Sequence, residues 1–246
     1  MALSVYKIVF SVPSVVSVVK KHRFASLVLL FLAGVFFVGC AGPEIVYVSC
    51  TPDKVAVVDT ELGRIIKTIY VGQRPRGIAF LPDGKLAFVA NSGSDTVSVI
   101  DTALRKVVKT IPVGSRPNDV AITPEGEIVL VTCSGSNALD VIDVESLLVL
   151  FSIPVGAEPM GVALSKDGYT AYVADSESGT LSIVSTASFE RERMHGIGGK
   201  PMDVALLPDG RVVVADGAGE AFFLDGKSLE VLKRVPFDKA WGVTVK

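Results

Sequence analysis

The side chains in this chain that could do chemistry are a few carboxylates, two histidines and three cysteines. Asp119 and Asp203 stand two 42-residue steps apart, while Asp175 and Asp216 each end an apolar run. Paired carboxylates at one opening suit glycoside hydrolysis, one as acid and the other as base or nucleophile. The same oxygens could ligate Ca²⁺. Beyond residue 40 only His195 remains, so no His pair at metal-ligand spacing exists there. Cys-x-x-Cys and Cys-x-x-Cys-His are also missing, which removes the common zinc and haem attachment patterns. Serines are many, but a hydrolase triad needs an imidazole partner. No cofactor, metal or catalytic residue is therefore assigned at this stage.

These residues sit inside a repeat. Gly-x-x-Pro occurs at Gly72/Pro75, Gly114/Pro117, Gly156/Pro159 and Gly198/Pro201, in steps of 42. Pro82-Asp83-Gly84, Pro124-Glu125-Gly126, Lys166-Asp167-Gly168 and Pro208-Asp209-Gly210 keep the same phase. So do Asp59, Asp101, Asp143 and Ser185, with Asp225 following 40 residues later. Each period holds four short runs rich in β-branched residues. In the second they are Arg76–Phe80, Lys85–Ala90, Thr96–Ile100 and Lys106–Ile111. Their length and flanking turn residues predict strands, and no long 3.6-residue apolar stripe competes. Pro-Asp-Gly presets a tight reversal, and the recurring Asp opens the next turn by bonding nearby amides.

Four strands per 40–45 residues is the pattern of a β-propeller blade. Tyr47-Val48-Ser49-Cys50, Phe88-Val89-Ala90-Asn91 and Tyr172-Val173-Ala174-Asp175, followed by Val-Ser-Val-Ile-Asp and Val-Gly-x-x-Pro, resemble the YVTN family of β-propeller repeats over about residues 45–245. Leu130-Val131-Thr132-Cys133 keeps only the middle of that tetrapeptide. The resemblance implies an all-β fold and an extracytoplasmic setting. We label the strands of a blade a to d, with a nearest the axis. The first blade then has b, c and d from Ile45 to Val71, and four whole blades follow at 76–113, 118–155, 160–195 and 202–235. One orphan strand, Trp241-Gly-Val-Thr-Val245, remains. The expectation is a five-bladed propeller of four-stranded antiparallel blades, closed by pairing this strand with Ile45–Val48 in a monomeric ring. Two chains combining into a larger ring is the alternative. Ala79, Ala121, Ala163 and Ala205, with Thr244, supply small side chains where blades converge.

The N-terminus reads as an address. Lys20-Lys21-His22-Arg23 precedes the apolar run Phe24–Val38 and the small residues Gly39, Cys40, Ala41 and Gly42, an export-signal pattern. Phe37-Val38-Gly39-Cys40 resembles the lipobox of bacterial lipoproteins, with Phe37 where Leu is usual. That resemblance implies cleavage before Cys40 and acylation of Cys40. An uncleaved anchor or ordinary secretion are the alternatives, and all three put the body outside the cytoplasm. Residues 1–39 are thus read as a signal peptide, 40–44 as a tether and 45–246 as the propeller. A start near Val18 or Val19 would shorten an overlong leader. Without Lys7, Lys20, Lys21 and Arg23, 20 basic face 26 acidic side chains, a net of −6. An acidic body without a basic stripe argues against nucleic acid.

Residues that recur in all blades serve the blade; function is expected where copies differ on one face. In propellers the d–a and b–c loops share the channel mouth. There the residue entering strand a is Arg76, Asn118, Met160, Met202 and Trp241 in turn, followed by Gly77, Asp119, Gly161, Asp203 and Gly242. Around it would stand Arg74, Arg116, Glu158, Lys200, Asn91, Asp95, Asn137, Asp175, Glu177 and Asp216. Such a mixed rim suits a polar and apolar ligand. The expected function is a lipid-anchored, non-catalytic binding scaffold in the cell envelope, its partner a protein, glycan or small ligand. The rival is an extracytoplasmic glycosidase or lactonase using Asp119, Asp203, Asp175 and Asp216. Asp119 and Asp203 could equally cap nearby amides. Cys50 and Cys133 belong to non-neighbouring blades, beyond disulfide reach, and are expected to be free, mostly buried thiols.

Overall fold

The computed structural model describes residues 45–236 and, for their backbone, strands 6–9 and 15–19. Every element among the described residues is a strand. The first sheet holds β1 (Tyr6–Val9), β2 (Val15–Val19), β3 (Ile45–Cys50), β4 (Lys54–Asp59) and β5 (Arg64–Tyr70). The second holds β6 (Pro75–Phe80), β7 (Leu86–Asn91), β8 (Thr96–Asp101) and β9 (Lys106–Pro112). In the third are β10 (Pro117–Ile122), β11 (Ile128–Cys133), β12 (Ala138–Asp143) and β13 (Leu148–Pro154). The fourth has β14 (Pro159–Leu164), β15 (Thr170–Asp175), β16 (Thr180–Ser185) and β17 (Glu190–Gly196). The fifth has β18 (Pro201–Leu206), β19 (Val212–Asp216), β20 (Glu220–Leu224) and β21 (Val231–Pro236). All pairings are antiparallel and follow chain order, as a blade requires.

The turns form as their residues dictate. Gly84, Gly126, Gly168 and Gly210 carry φ of 70°, 77°, 77° and 88°, closing the a–b reversals. At the c–d turns Asp59 Oδ1 accepts from the amides of Glu61 and Leu62, and Asp101 Oδ1 from those of Ala103 and Leu104. Asp143 and Asp225 act likewise toward Ser146 and Ser228. The aspartate series is therefore turn chemistry.

The core lies between sheets. Tyr47, Val55, Val57 and Ile69 of the first sheet pack on Ile78, Ala87, Val89 and Ile100 of the second, and comparable layers join each following pair. Strands b and c are covered on both faces, which explains their unbroken apolar runs. The outer strands are mostly exposed and send one residue inward: Ile69, Ile111 and Ile153 are each under 5% exposed. His195 takes that register position in the fourth sheet, opposite Leu181, and is half-buried.

Two features differ from the sequence reading. The segment set aside as a leader supplies a hairpin, with Tyr6 opposite Val18 and Val9 opposite Val15. Its second strand, β2, pairs with β3 through Val16/Val48, Ser17/Tyr47, Val18/Val46 and Val19/Ile45. The Val-rich Val15–Val19 run has the β-branched content to form a strand there. This is the inner place expected for Trp241–Val245, which lies outside the described residues, as do Cys40, Trp241 and Gly242. Second, inner strands pack in the order β2, β6, β10, β14, β18, but among the described residues no comparable packing returns from the fifth sheet to the first.

Candidate mouth of the blade array

Each described a strand from the second sheet onward breaks its ladder with strand b near its start. The register shifts lie between Pro75 and Ile78, Pro117 and Val120, Pro159 and Val162, and Pro201 and Asp203. A bulge re-aims the residues it contains. Arg76, Asn118, Met160 and Met202 occupy these bulges, all half-buried. Asn118 Nδ2 donates to the Met160 carbonyl at 3.2 Å and lies 3.5 Å from its sulfur, so these two members touch. The preceding blade also fixes the ring from behind. Ser49 Oγ donates to the Arg76 carbonyl and Thr132 Oγ1 to that of Met160, both at 2.7 Å. Ser176 Oγ sits 3.5 Å from the Met202 sulfur.

The d–a and b–c loops lie on one face, as the sequence reading expected. The amides of Ser92, Ser134 and Ser176 donate to the carbonyls of Arg74, Arg116 and Glu158. Several rim residues turn out to be scaffold. Asp95 Oδ1 accepts from the Arg116 amide at 2.8 Å, and Asn137 Oδ1 from the Glu158 amide at 2.9 Å. These acceptors hold Arg116 and Glu158 at φ of 50° and 53°, a left-handed conformation costly for non-glycine residues. Arg116 faces Glu158 at 3.9 Å, and Lys200 meets Glu177 at 2.7 Å.

The alternation of Gly and Asp in the bulges has a packing cause. A Cβ on Gly77 would come within 2.8 Å of the Asp119 Cα, and one on Gly161 within 2.7 Å of the Asp203 Cα. Each aspartate thus fits only against a glycine of the preceding blade. Asp119 Oδ2 accepts from the Val162 amide of the following blade, and Asp203 Oδ1 from the Val204 amide. Both are nearly buried. They cap amides, the bland alternative of the sequence reading.

Asn91, Cys133, Asp175 and Asp216 end strand b and point inward. Asn91 Nδ2 donates to Thr96 Oγ1 and Ser98 Oγ; Asp175 Oδ2 accepts from Thr180 Oγ1 and Ser182 Oγ. Asp216 accepts from the amides of Lys200 and Ala218. A Cβ on Gly156 would fall 2.6 Å from the Asp175 Cβ, and one on Gly72 or Gly114 would crowd Asn91 or Cys133 likewise. In these three loops the first glycine of Gly-x-x-Pro thus makes room for the residue ending strand b; in the fourth, Gly199 rather than Gly198 faces Asp216. Burial pushes the Asp175 carboxyl up to about 6, against the lowering effect of the two hydroxyls. Burial, with Asp140 nearby, also pushes the Cys133 thiol upward. Cys50 and Cys133 are free; Cys133 is buried, whereas Cys50 is only half-buried, less than expected. Among the described residues no cluster of three or more His, Cys, Asp or Glu is arranged to hold a metal ion.

The array has a relative among solved structures. The chain is similar to hydrazine synthase of Kuenenia stuttgartiensis. Identity is 25% over 76% of this chain and 64% of that chain, with a TM-score of 0.66. The shared feature is a β-propeller-like array of four-stranded sheets. No family model and no curated protein matches the chain.

Proposed function

We propose that this is an exported lipoprotein, acylated at Cys40, whose blade array binds an envelope partner or ligand at its mouth without turnover. One observation carries the reading. The same bulge in four blades projects three kinds of side chain, a guanidinium, an amide and two thioethers, onto one rim, while Asp119 and Asp203 are spent on backbone amides. A binding surface needs that kind of variation on a constant frame; a carboxylate pair for hydrolysis needs free oxygens.

The YVTN-like motifs and the Lys20–Gly42 pattern support export and anchoring. Removal of residues 1–39 would take β1 and β2 away and bare the edge of β3. The repeat assigns Trp241–Val245 to that edge, so the mature chain closes as a five-bladed ring. The likeness to hydrazine synthase contributes architecture.

Metabolic labelling with a radioactive fatty acid tests the anchor: label on the wild type and none on Cys40→Ser is expected. Turnover of glycosides or lactones that disappears in Asp119→Asn or Asp203→Asn would overturn the binding reading.

A further inference from the structure

The four d–a loops share one backbone plan but differ in charge. They read Gly72-Gln-Arg-Pro-Arg76, Gly114-Ser-Arg-Pro-Asn118, Gly156-Ala-Glu-Pro-Met160 and Gly198-Gly-Lys-Pro-Met202. In the second, Arg116 is answered by Glu158, and in the fourth Lys200 is answered by Glu177. The first loop alone carries two cations, Arg74 and Arg76. Among the described residues neither guanidinium has a hydrogen-bond acceptor or an ion-pair partner. Of the other carboxylates on this face, Asp95 is committed to the Arg116 amide, Asp119 to that of Val162 and Asp203 to that of Val204. Asp53, next to the Pro52 whose carbonyl takes the Arg74 amide, keeps a buried Oδ1 without a hydrogen-bond partner among the described residues.

The backbone of both residues is held in place. The Arg74 amide donates to the Pro52 carbonyl, its own carbonyl accepts from Ser92, and its Cγ and Cδ lie over Gly93, where a Cβ would come within 3.1 Å. Arg76 sits in the bulge with its carbonyl gripped by Ser49 Oγ. It is half-buried, and this burial together with the like charge of Arg74 disfavours its protonated form. Buried charge is normally paired, because desolvation without a counter-charge is costly. Here a half-buried and an exposed guanidinium stand close on one rim, and among the described residues neither is ion-paired. Around the same ring, the character changes from cation at Arg76 through amide at Asn118 to thioether at Met160 and Met202.

We propose that Arg74 and Arg76 form an anion-recognition corner of the mouth, taking the carboxylate or phosphate of an organic acid whose apolar body lies against Met160 and Met202. The inference rests on the mouth being the binding face and adds the ligand class. Guanidinium forks match planar carboxylate and phosphate oxygens with paired, charge-assisted hydrogen bonds. The thioethers are adaptable apolar contacts. The anionic head supplies orientation, and the apolar body supplies area that inorganic phosphate lacks.

Calorimetric titration of the Cys40→Ser protein tests this with benzoate, phenyl phosphate, inorganic phosphate and the neutral benzamide at constant ionic strength. Benzoate and phenyl phosphate should bind at millimolar concentration, inorganic phosphate more weakly, and benzamide not measurably. Arg76→Gln should weaken the anionic probes by about ten- to a hundredfold, the loss expected for charged hydrogen bonds. Arg74→Gln, at an exposed side chain that leaves the bulge intact, should weaken them in the same direction. Benzamide binding as well as benzoate, or unchanged titrations in both Arg variants, would overturn the proposal. Cross-linking from position 160 separates the two readings. Partner capture that persists undiminished in Arg76→Gln removes the anion corner and keeps the mouth. Lost capture with benzoate binding intact removes the mouth as a partner surface and keeps the corner.

Discussion

At the residue scale, the positions that looked chemical divide by what their polar atoms already touch. Asp119 and Asp203 were visible from the repeat as an alternation with glycine. Its cause was not, because the 2.8 Å and 2.7 Å approaches to the preceding blade depend on how blades pack, which no spacing reveals. Asp175 is the reverse case: a carboxylate in a position where Asn91 serves the second blade, buried among hydroxyls with its Oδ1 unpaired. Its folded pKa of about 6 exceeds the ordinary 3.8, so the folded state binds the extra proton between those values. The associated stability is present below about pH 4 and lost as pH rises through 6. Asp175→Asn should therefore raise stability at pH 7.5 by about 1–3 kcal/mol and change little at pH 4. Thermal melts across that range check it, and an equal effect at both pH values would contradict the assignment.

At the element scale, strands b, c and d were legible because burial on both faces leaves runs such as Leu86–Asn91 and Ile128–Cys133, ended by turn residues. Observed bounds differ by about a residue. The bulges were not legible: Arg76-Gly77 and Asn118-Asp119 read as ordinary strand starts, since a two-against-one register shift leaves no compositional mark. Nor was β2. Basic residues and an apolar run beside Val15–Val19 dominate that stretch, and export patterning masks strand propensity. Two segments thus have a claim on the edge of β3: Val15–Val19, which pairs there, and Trp241–Val245, which the repeat assigns there. An uncovered edge invites aggregation. Deleting residues 240–246 should leave the melting of the full chain nearly unchanged, yet make a protein beginning at Cys40 aggregate and lose cooperative unfolding. Light scattering and melting of the four proteins decide it. Equal tolerance in both backgrounds would remove the closure proposal.

At the scale of the whole molecule, a stack of near-identical sheets makes a frame whose layers, such as Tyr47, Val55 and Val57 on Ile78 and Val89, repeat with small variations. The shared mouth could be foreseen because loop polarity follows from four-stranded antiparallel blades. Which rim residues are tied up internally could not, since Arg116, Glu158 and Asp95 gain their partners only across blades. What the frame leaves variable and reachable is the ring of Arg76, Asn118, Met160 and Met202. The most direct measurement places a photo-reactive side chain at position 160 on the rim, or at exposed position 150 on outer strand β13, and illuminates intact cells. Specific capture of one partner or ligand from 160 and none from 150 is the expected result. Capture from 150 alone, or identical patterns from both, would contradict a working surface at the mouth.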